Sequence, residues 1–328
     1  MQRRHLFHPV AAAALSTAVP WLVARAQRRF PEHPIRVVVP FAPGNTLDTS
    51  LRQVGEVFMK NTGQQLVIDS KPGGAGIIAA QYVATAPPDG YTLLLASSSM
   101  LTVNPHTFSK LPYDPEKSFR PVTNCLGTSM VMAVNNRVPA SNIKEFVTWA
   151  KERPGKVSFA SFTAGNPSHF AGVILNQRAG IDMVHVPFNG TPPAVTNLLG
   201  GQVDAAFLPL LAIKPYLEAG RVKVLAVTSP DRSPLMPQIA TFREQGYPDL
   251  VIQMWASLMA PARTPDAIIS QLNEEFVKVL GDAELKNQLR ATDFDTLPST
   301  PEEFTKLARA ESRRWAEAVK LSGFKVSE

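Results

Sequence analysis

The segment Pro34 to Thr62, PIRVVVPFAPGNTLDTSLRQVGEVFMKNT, decides the fold class of this 328-residue chain. Residues 35–39 are apolar except for Arg36, as expected of a strand that is covered on both faces. The turn 40–45 follows. After it, apolar residues recur at helical spacing, at Leu47, Leu51, Val54 and Phe58. A strand that leads through a short turn into a helix is the repeating unit of a parallel sheet.

The same unit recurs along the chain. Further apolar runs predict strands at 66–68, 92–96, 131–134, 157–160, 183–186, 203–207 and 222–227. Helices are predicted to start at Ser141, at Thr191, at Thr264-Pro265-Asp266, and at the capping box Thr300-Pro301-Glu302-Glu303. This order predicts an α/β protein with two similar sets of strands and helices.

The first 26 residues have the layout of a secretory signal peptide. Arg3 and Arg4 precede an apolar stretch from Val10 to Val23, and Ala24-Arg25-Ala26 fits the small-x-small cleavage rule. We therefore expect export to the periplasm with cleavage after Ala26. The arginine pair fits a twin-arginine signal and an ordinary secretory signal equally well.

The charge of the mature chain argues against nucleic acid as a partner. The formal net charge of +6 falls to +3 when the signal, with three arginines and no acid, is removed. No basic run interleaved with aromatic residues is present. No other apolar stretch reaches the length of a membrane span, so we expect a soluble mature protein.

Four loops that follow predicted strands are rich in Gly, Ser, Thr and Asn and poor in charge: 40–46, 73–76, 97–99 and 161–168. Ligands of open α/β sheets bind where such loops gather, and several of these loops lead directly into helix N-termini. Exposed amides and the helix dipole can hold an anion there without any arginine. The pattern favours a carboxylate site.

Signals for catalysis, cofactors or metals are weak. Gly74-x-Gly76-x-x-Ala79 matches a dinucleotide fingerprint, but the following strand offers no acid for a ribose. The histidines of the mature chain show no metal-type spacing. The single cysteine, Cys125, could be a nucleophile, although its apolar surroundings favour a structural role. We therefore expect no enzyme, no catalytic residue, no cofactor and no metal.

At the level of whole motifs the chain resembles the Bug-type receptors of tripartite tricarboxylate transporters. The resemblance rests on PIRVVVPFAPG at 34–44, KPG at 71–73, PDGYTL at 88–93, LPYDP at 111–115, VHVPF at 184–188, LGGQVD at 199–204 and LAVTS at 225–229. It covers essentially the whole mature chain.

The resemblance implies a type II periplasmic-binding-protein fold, in which two lobes are joined by two crossing segments. The lobes would be 27–124 with 255–328, and 125–254. Membership of this family implies capture of a small mono- or dicarboxylate, including aromatic acids, for membrane transporter subunits, and we expect a monomer. A periplasmic sensor, or an enzyme using Cys125 or Asp204 on the same scaffold, remains an alternative.

The family pattern also implies the ligand-binding residues. They are Phe41, Gly44, Asn45, Thr46 and Ser98 on one lobe, and Thr163, Gly165, Asn166, Ser168, His169 and Asp204 on the other. Asp48 is expected to cap the first helix, and Lys71 to point outward. Asn45, Asn166-Pro167 and Leu208-Pro209 depart from the family pattern and make one side of the pocket more apolar, which argues against citrate-like tricarboxylates.

Overall fold

The computed structural model describes residues 30–324, so the predicted signal peptide lies outside the described residues. The strands are β1 Ile35–Val39, β2 Leu66–Ser70, β3 Thr92–Ser97, β4 Phe119–Asn135, β5 Val157–Ser161, β6 Met183–Pro187, β7 Ala205–Pro209, β8 Val222–Val227, β9 Gln253–Pro261 and β10 Asp295–Thr296. The helices are α1 Thr46–Thr62, α2 Ile77–Ala84, α3 Asn104–Thr107, α4 Ile143–Lys151, α5 Pro167–Ala179, α6 Thr191–Leu199, α7 Leu210–Glu218, α8 Asp266–Gly281, α9 Ala283–Arg290 and α10 Pro301–Ser322. None of the helices in this described part is long and apolar enough to cross a membrane.

The first lobe is built on the parallel strands β2, β1 and β3, in that order. Leu51, Val54 and Phe58 of α1 are fully buried against this sheet and α8. The ring of Phe58 stacks on Phe276 of α8 with 5.0 Å between centroids. α1 ends at Gly63, whose φ of 74° is favourable for glycine in a helix C-cap.

The second lobe repeats this arrangement with β5 between β6 and β7, all parallel. α5 lies very close to this sheet at Gly172, where a Cβ would overlap the ring of Phe159. Glycine is therefore required at this point of α5 by close packing against β5.

Two long strands connect the lobes. β4 pairs antiparallel with β9 over residues 119–129, and with β7 and β8 over residues 130–135. The outer strands are parallel, as predicted. The antiparallel centre of the sheet was not predicted, because polar residues interrupt the first half of β4. Thr123 and Asn124 are buried there with their side chains hydrogen bonded, Thr123 Oγ1 to the Ser299 carbonyl and Asn124 Oδ1 to the Cys125 amide.

Helix α10 packs against both lobes. The predicted capping box at its start is confirmed by reciprocal bonds between Thr300 and Glu303. Phe304, near its start, lies edge-on to Trp255 at 5.1 Å, whereas Trp315, near its end, is buried 6.1 Å from Phe170 of the second lobe. We expected this helix, as part of 255–328, to belong to the first lobe alone, but it also contacts the second lobe through Trp315.

Three other predicted helix starts shift by one residue. Asn142, and not Ser141, caps α4, because its Oδ1 accepts the Glu145 amide. Gly190, with φ 105°, precedes α6, and Pro265 precedes α8. At α6 and α8 no side chain caps the helix start, so the pattern locates the turn but not the residue that precedes the helix.

Candidate ligand-binding site

A cavity of about 470 Å³ lies between the two lobes. Its walls come from the segments that follow β1, β3 and β5, and from the two connecting strands. The carboxyl ends of parallel strands are where α/β proteins place ligands, and this volume suits a small molecule.

The β1–α1 loop supplies Phe41 and Leu47 to the wall. Asn45 caps α1, because its Oδ1 accepts the Asp48 amide at 3.0 Å while its Nδ2 donates to the Ala42 carbonyl. The Asp48 carboxylate reaches back to accept the Gly44 amide, so Asp48 stabilises the turn although Asn45 is the cap. Gly44, Asn45 and the exposed Thr46 thus shape this loop but are not among the residues that line the cavity.

The serines after β3 line the same cavity. Ser98 is only 4% exposed, and its hydroxyl makes no hydrogen bond within residues 30–324. Its Oγ is not among the fully buried, unpartnered polar atoms, so the hydroxyl is open to the cavity and can donate to or accept from a ligand. Ser98 is therefore a strong candidate for contact with a ligand.

On the second lobe, Thr163, Gly165 and Asn166 line the cavity, as do Phe162 and Pro167. Asn166 caps α5, because its Oδ1 accepts the amides of Ser168 and His169. This start of α5 follows from the Asn-Pro pair, since Asn is a preferred cap and Pro is favoured at the first helical position.

Ser168 and His169 lie one layer behind the wall. The Ser168 hydroxyl donates to Asn166 Oδ1 at 2.7 Å, and Nδ1 of His169 accepts the Gly165 amide at 3.3 Å. His169 stacks on His185 with centroids 3.7 Å apart, and burial lowers the pKa of the two histidines to about 4 and about 3. Both rings are therefore neutral at pH 7 and support the loop 162–167.

Asp204 lies away from the cavity. It precedes β7, and its carboxylate accepts the Ser158 amide at 2.8 Å and pairs with Arg137 at 2.9 Å. The predicted strand 203–207 begins only at Ala205, which places Asp204 at the opposite end of the sheet from the ligand loops. We therefore correct the expectation that Asp204 contacts a ligand.

The connecting strands form a wall that the sequence patterns did not indicate. β4 supplies Leu126 and Thr128, and β9 supplies Met254, Trp255 and Ala256. Residues distant in sequence complete the lining, namely Asn104, Thr107, Phe108, Phe294 and Phe324. Periodicity marks such residues as core, and only the folded chain shows that they face a cavity.

No Asp, Glu, Lys, Arg or His lines this cavity among the residues that the structure describes. Two acids lie directly behind its wall: Asp293 accepts the Thr128 hydroxyl at 3.0 Å, and Glu311 accepts the Trp255 indole N–H at 2.8 Å. Burial raises the pKa of both carboxyls, that of Asp293 to about 7.

The other chemically notable side chains lie elsewhere. Cys125 is fully buried in the first-lobe core, where burial raises the pKa of its thiol to about 12. Lys71 pairs with Asp69 at 3.4 Å and lies over the ring of Tyr82, outside the cavity lining. Within residues 30–324 no group of three or more His, Cys, Asp or Glu could hold a metal ion.

Two α/β lobes, two connecting strands and an uncharged cavity between the lobes define the class of two-lobed solute-binding proteins. The chain belongs to the tripartite tricarboxylate transporter receptor family, whose model, described as "Tripartite tricarboxylate transporter family receptor", matches residues 50–324. Members of this family are periplasmic solute-binding proteins, which confirms the resemblance drawn from the motifs.

Individual relatives agree over nearly the whole length. Protein BugT of Bordetella pertussis is 31% identical, with 90% of this chain and 91% of BugT covered. Rpa4515 of R. palustris, solved with adipate, is 29% identical with a TM-score of 0.77, and covers 90% of this chain and 99% of its own. MatC of Rhodopseudomonas palustris, solved with bound malate, is 30% identical with a TM-score of 0.71, and covers 88% of this chain and 100% of its own. The predicted type II periplasmic-binding-protein fold is thereby confirmed.

Proposed function

We propose that this protein captures a small organic carboxylate in the cavity between its lobes and delivers it to the membrane subunits of a tripartite tricarboxylate transporter. The proposal depends on one observation: an uncharged cavity that contains the unpartnered Ser98 hydroxyl and lies beside the N-terminus of α1. Helix N-termini and hydroxyls stabilise a carboxylate without a salt bridge. The adipate and malate seen in related structures support this class of ligand.

The proposed contact set is smaller than the set expected from the family pattern. Phe41, Ser98, Thr163, Gly165 and Asn166 would contact the ligand directly. Gly44, Asn45, Thr46, Ser168 and His169 would hold the contacting loops in place. No His, Cys, Asp, Glu, Lys or Arg that could activate a hydroxyl lines the cavity in the described part of the chain, so binding without catalysis is the function that we propose.

Capture requires that the lobes approach each other. The boundaries expected at 124/125 and 254/255 fall within β4 and β9. We infer that these strands form the hinge. A ligand that contacts both lobes binds the closed form more tightly than the open form, and it therefore shifts the population towards the closed form.

The compartment follows from the same proposal. We infer export to the periplasm and cleavage after Ala26. Intact-mass analysis of protein released from the periplasm should give a chain that begins at Gln27. Recovery of the full-length chain from the cytoplasm would contradict the inferred location.

Ligand capture is tested by thermal denaturation of the mature chain with a library of carboxylates and their neutral amides. A ligand at 100 times its Kd should add about 2.7 kcal/mol to the free energy of unfolding. The matched variants are Ser98→Ala, which should lose this shift, and Lys71→Ala, which should keep it. Equal shifts with acids and amides, or loss only in Lys71→Ala, would contradict the proposal.

A further inference from the structure

The second-lobe loop 162–167 carries main-chain donors that nothing in the protein occupies. The amides of Thr163, Ala164 and Asn166 have no hydrogen-bond partner within residues 30–324, and all three residues line the cavity. An amide can bind a carboxylate oxygen only if the plane of its peptide turns the N–H towards that oxygen. The orientation of these peptides therefore decides whether the loop attracts or repels an anion.

The peptide between Thr163 and Ala164 is held from behind the cavity wall. Its carbonyl oxygen, that of Thr163, accepts the Ser161 hydroxyl at 3.1 Å. Ser161 is fully buried and is not among the residues that line the cavity. The peptide is trans, so its N–H points in the direction opposite to its carbonyl. The bond to Ser161 therefore turns the Ala164 amide away from the buried side and towards the cavity.

The Ser161 hydroxyl is in turn oriented by His185 of β6. Nε2 of His185 lies 2.7 Å from Ser161 Oγ. A serine hydroxyl has one proton, and Ser161 donates it to the Thr163 carbonyl, so Nε2 of His185 must be the donor in this contact. Burial, with a contribution from His169, lowers the pKa of His185 to about 3. The ring is therefore neutral at pH 7, and its single N–H proton lies on Nε2.

Two ring contacts fix the plane of the His185 imidazole. It stacks on His169 with 3.7 Å between centroids and 9° between planes, and it lies 5.0 Å from the ring of Phe159. His169 holds the next part of the same loop, because its Nδ1 accepts the Gly165 amide at 3.3 Å. Neither histidine is among the residues that line the cavity. Any effect of this pair on a ligand is therefore transmitted through the loop 162–167.

We propose that His185 is a positioning residue for ligand capture: through Ser161 it holds the peptide between Thr163 and Ala164 with its N–H towards the cavity and its carbonyl away from it. This inference rests on the proposed function and adds to it a residue that does not touch the ligand. Without the hydrogen-bond chain from His185 through Ser161 to Thr163, this peptide can rotate. An inward carbonyl repels a carboxylate but accepts an N–H of the corresponding neutral amide. The chain therefore controls the preference for an acid over its amide.

The hydrogen-bond chain is tested first without any ligand, by NMR of the mature protein. The ring nitrogens of His185 should show the Nε2–H tautomer. His185→Phe keeps an aromatic ring in the stack but has no donor, whereas His185→Gln loses the ring but keeps an N–H donor of similar reach. The carbonyl-carbon signal of Thr163 should therefore shift in His185→Phe and stay near its wild-type position in His185→Gln. An Nδ1–H tautomer, or an unmoved Thr163 signal in His185→Phe, overturns the proposal.

The effect on binding is measured by titration calorimetry with malate, adipate and benzoate, each paired with its neutral amide. In His185→Phe and in Ser161→Ala the ratio of acid to amide affinity should fall at least about tenfold, a difference of roughly 1.4 kcal/mol. His185→Gln should keep this ratio within about threefold of wild type, a change of less than roughly 0.7 kcal/mol. An unchanged ratio in both His185→Phe and Ser161→Ala overturns the positioning role but leaves carboxylate capture intact.

Asn176→Ala is the matched control for a loss of stability alone. It removes two hydrogen bonds between α5 and Met183 of β6 without touching the loop, so it should lower Tm and leave the ratio unchanged. An equal fall of the ratio in this control would show that general destabilisation, and not the orientation of the peptide, causes the effect. Failure of the proposed function would look different: if the wild-type chain prefers none of the three acids to its amide, the site does not recognise a carboxylate, and the function and the positioning role both fail.

Discussion

The ring of Phe324 occupies the space that a side chain at Gly165 would need: a Cβ there would lie 2.5 Å from two of the ring carbons. Gly165 also has φ +71°, in the left-handed region. The ligand loop of the second lobe and the residue two positions beyond α10, 159 positions apart in sequence, are therefore fitted to each other at the cavity wall.

Gly165→Ala should lower both stability and affinity. The left-handed backbone alone should cost about 1 kcal/mol, and displacement of Phe324 should add to this and open the wall. Gly180→Ala is the matched control, because Gly180 has φ +61° with nothing within 4 Å of its Cβ. Equal losses of Tm and affinity in both variants, measured by calorimetry, would show that the contact with Phe324 is unimportant.

Asn45→Ala should act on stability more than on binding. Loss of the α1 cap should lower the free energy of unfolding by about 1 kcal/mol, while affinity changes only a few-fold because Asn45 does not line the cavity. Asn142→Ala removes the equivalent cap of α4, far from the site. Urea denaturation and titration calorimetry measure the two effects; a large loss of affinity in Asn45→Ala alone would show direct contact with the ligand.

Cys125 should be unreactive in the folded protein. Burial keeps it a thiol at pH 8, since its pKa is raised to about 12 and the thiolate is the reactive form. Titration with a disulfide reagent should detect the thiol only in guanidinium, and Cys125→Ser should bind ligand within a few-fold of wild type. Fast labelling of the native chain would contradict this structural role.

Ligand affinity should fall as pH rises from 6 to 8. Asp293, with its pKa raised by burial to about 7, is neutral below this range and ionised above it, and its negative charge behind Thr128 opposes an anionic ligand. By linkage, binding near pH 7 should take up protons. Calorimetry in buffers of different ionisation enthalpy measures this uptake. Asp293→Asn should abolish it, whereas Glu317→Gln, which alters an exposed acid of α10 outside the cavity lining, should not.

Acid should destabilise the protein through His169. Its pKa is lowered by burial from 6.5 to about 4, so between these pH values the unfolded chain binds more protons than the folded one, and stability falls as pH falls. His169→Gln should reduce the difference in Tm between pH 7 and pH 5, and part of the difference should remain, because burial lowers the pKa of His185 as well. Asp293 acts in the opposite direction, because its raised pKa makes stability increase as pH falls. The Tm values with and without His169→Gln should therefore be compared in proteins that both carry Asp293→Asn. The same pH dependence in wild type and His169→Gln would exclude the effect.

The sequence by itself determined the local elements and the loops that bear polar ligand groups. The strand at 35–39, the spacing of Leu51, Val54 and Phe58, and the capping box at Thr300 depend on contacts within a few residues, which a pattern records directly. Phe41, Ser98 and Asn166 could be named as candidates because loops after parallel strands lie at one edge of a sheet.

Only the tertiary structure decided which of these side chains face the cavity. Asn45 and Asn166 have similar local sequence settings, yet only Asn166 lines the wall, and the side-chain oxygens of both are used by helix amides. Asp204 matched the family pattern but pairs with Arg137 at the far end of its strand. Trp255, Phe294 and Phe324 come together from separate elements, because packing of the two lobes on β4, β9 and α10 brings them to one wall, and no local pattern encodes contacts between segments so distant in the chain.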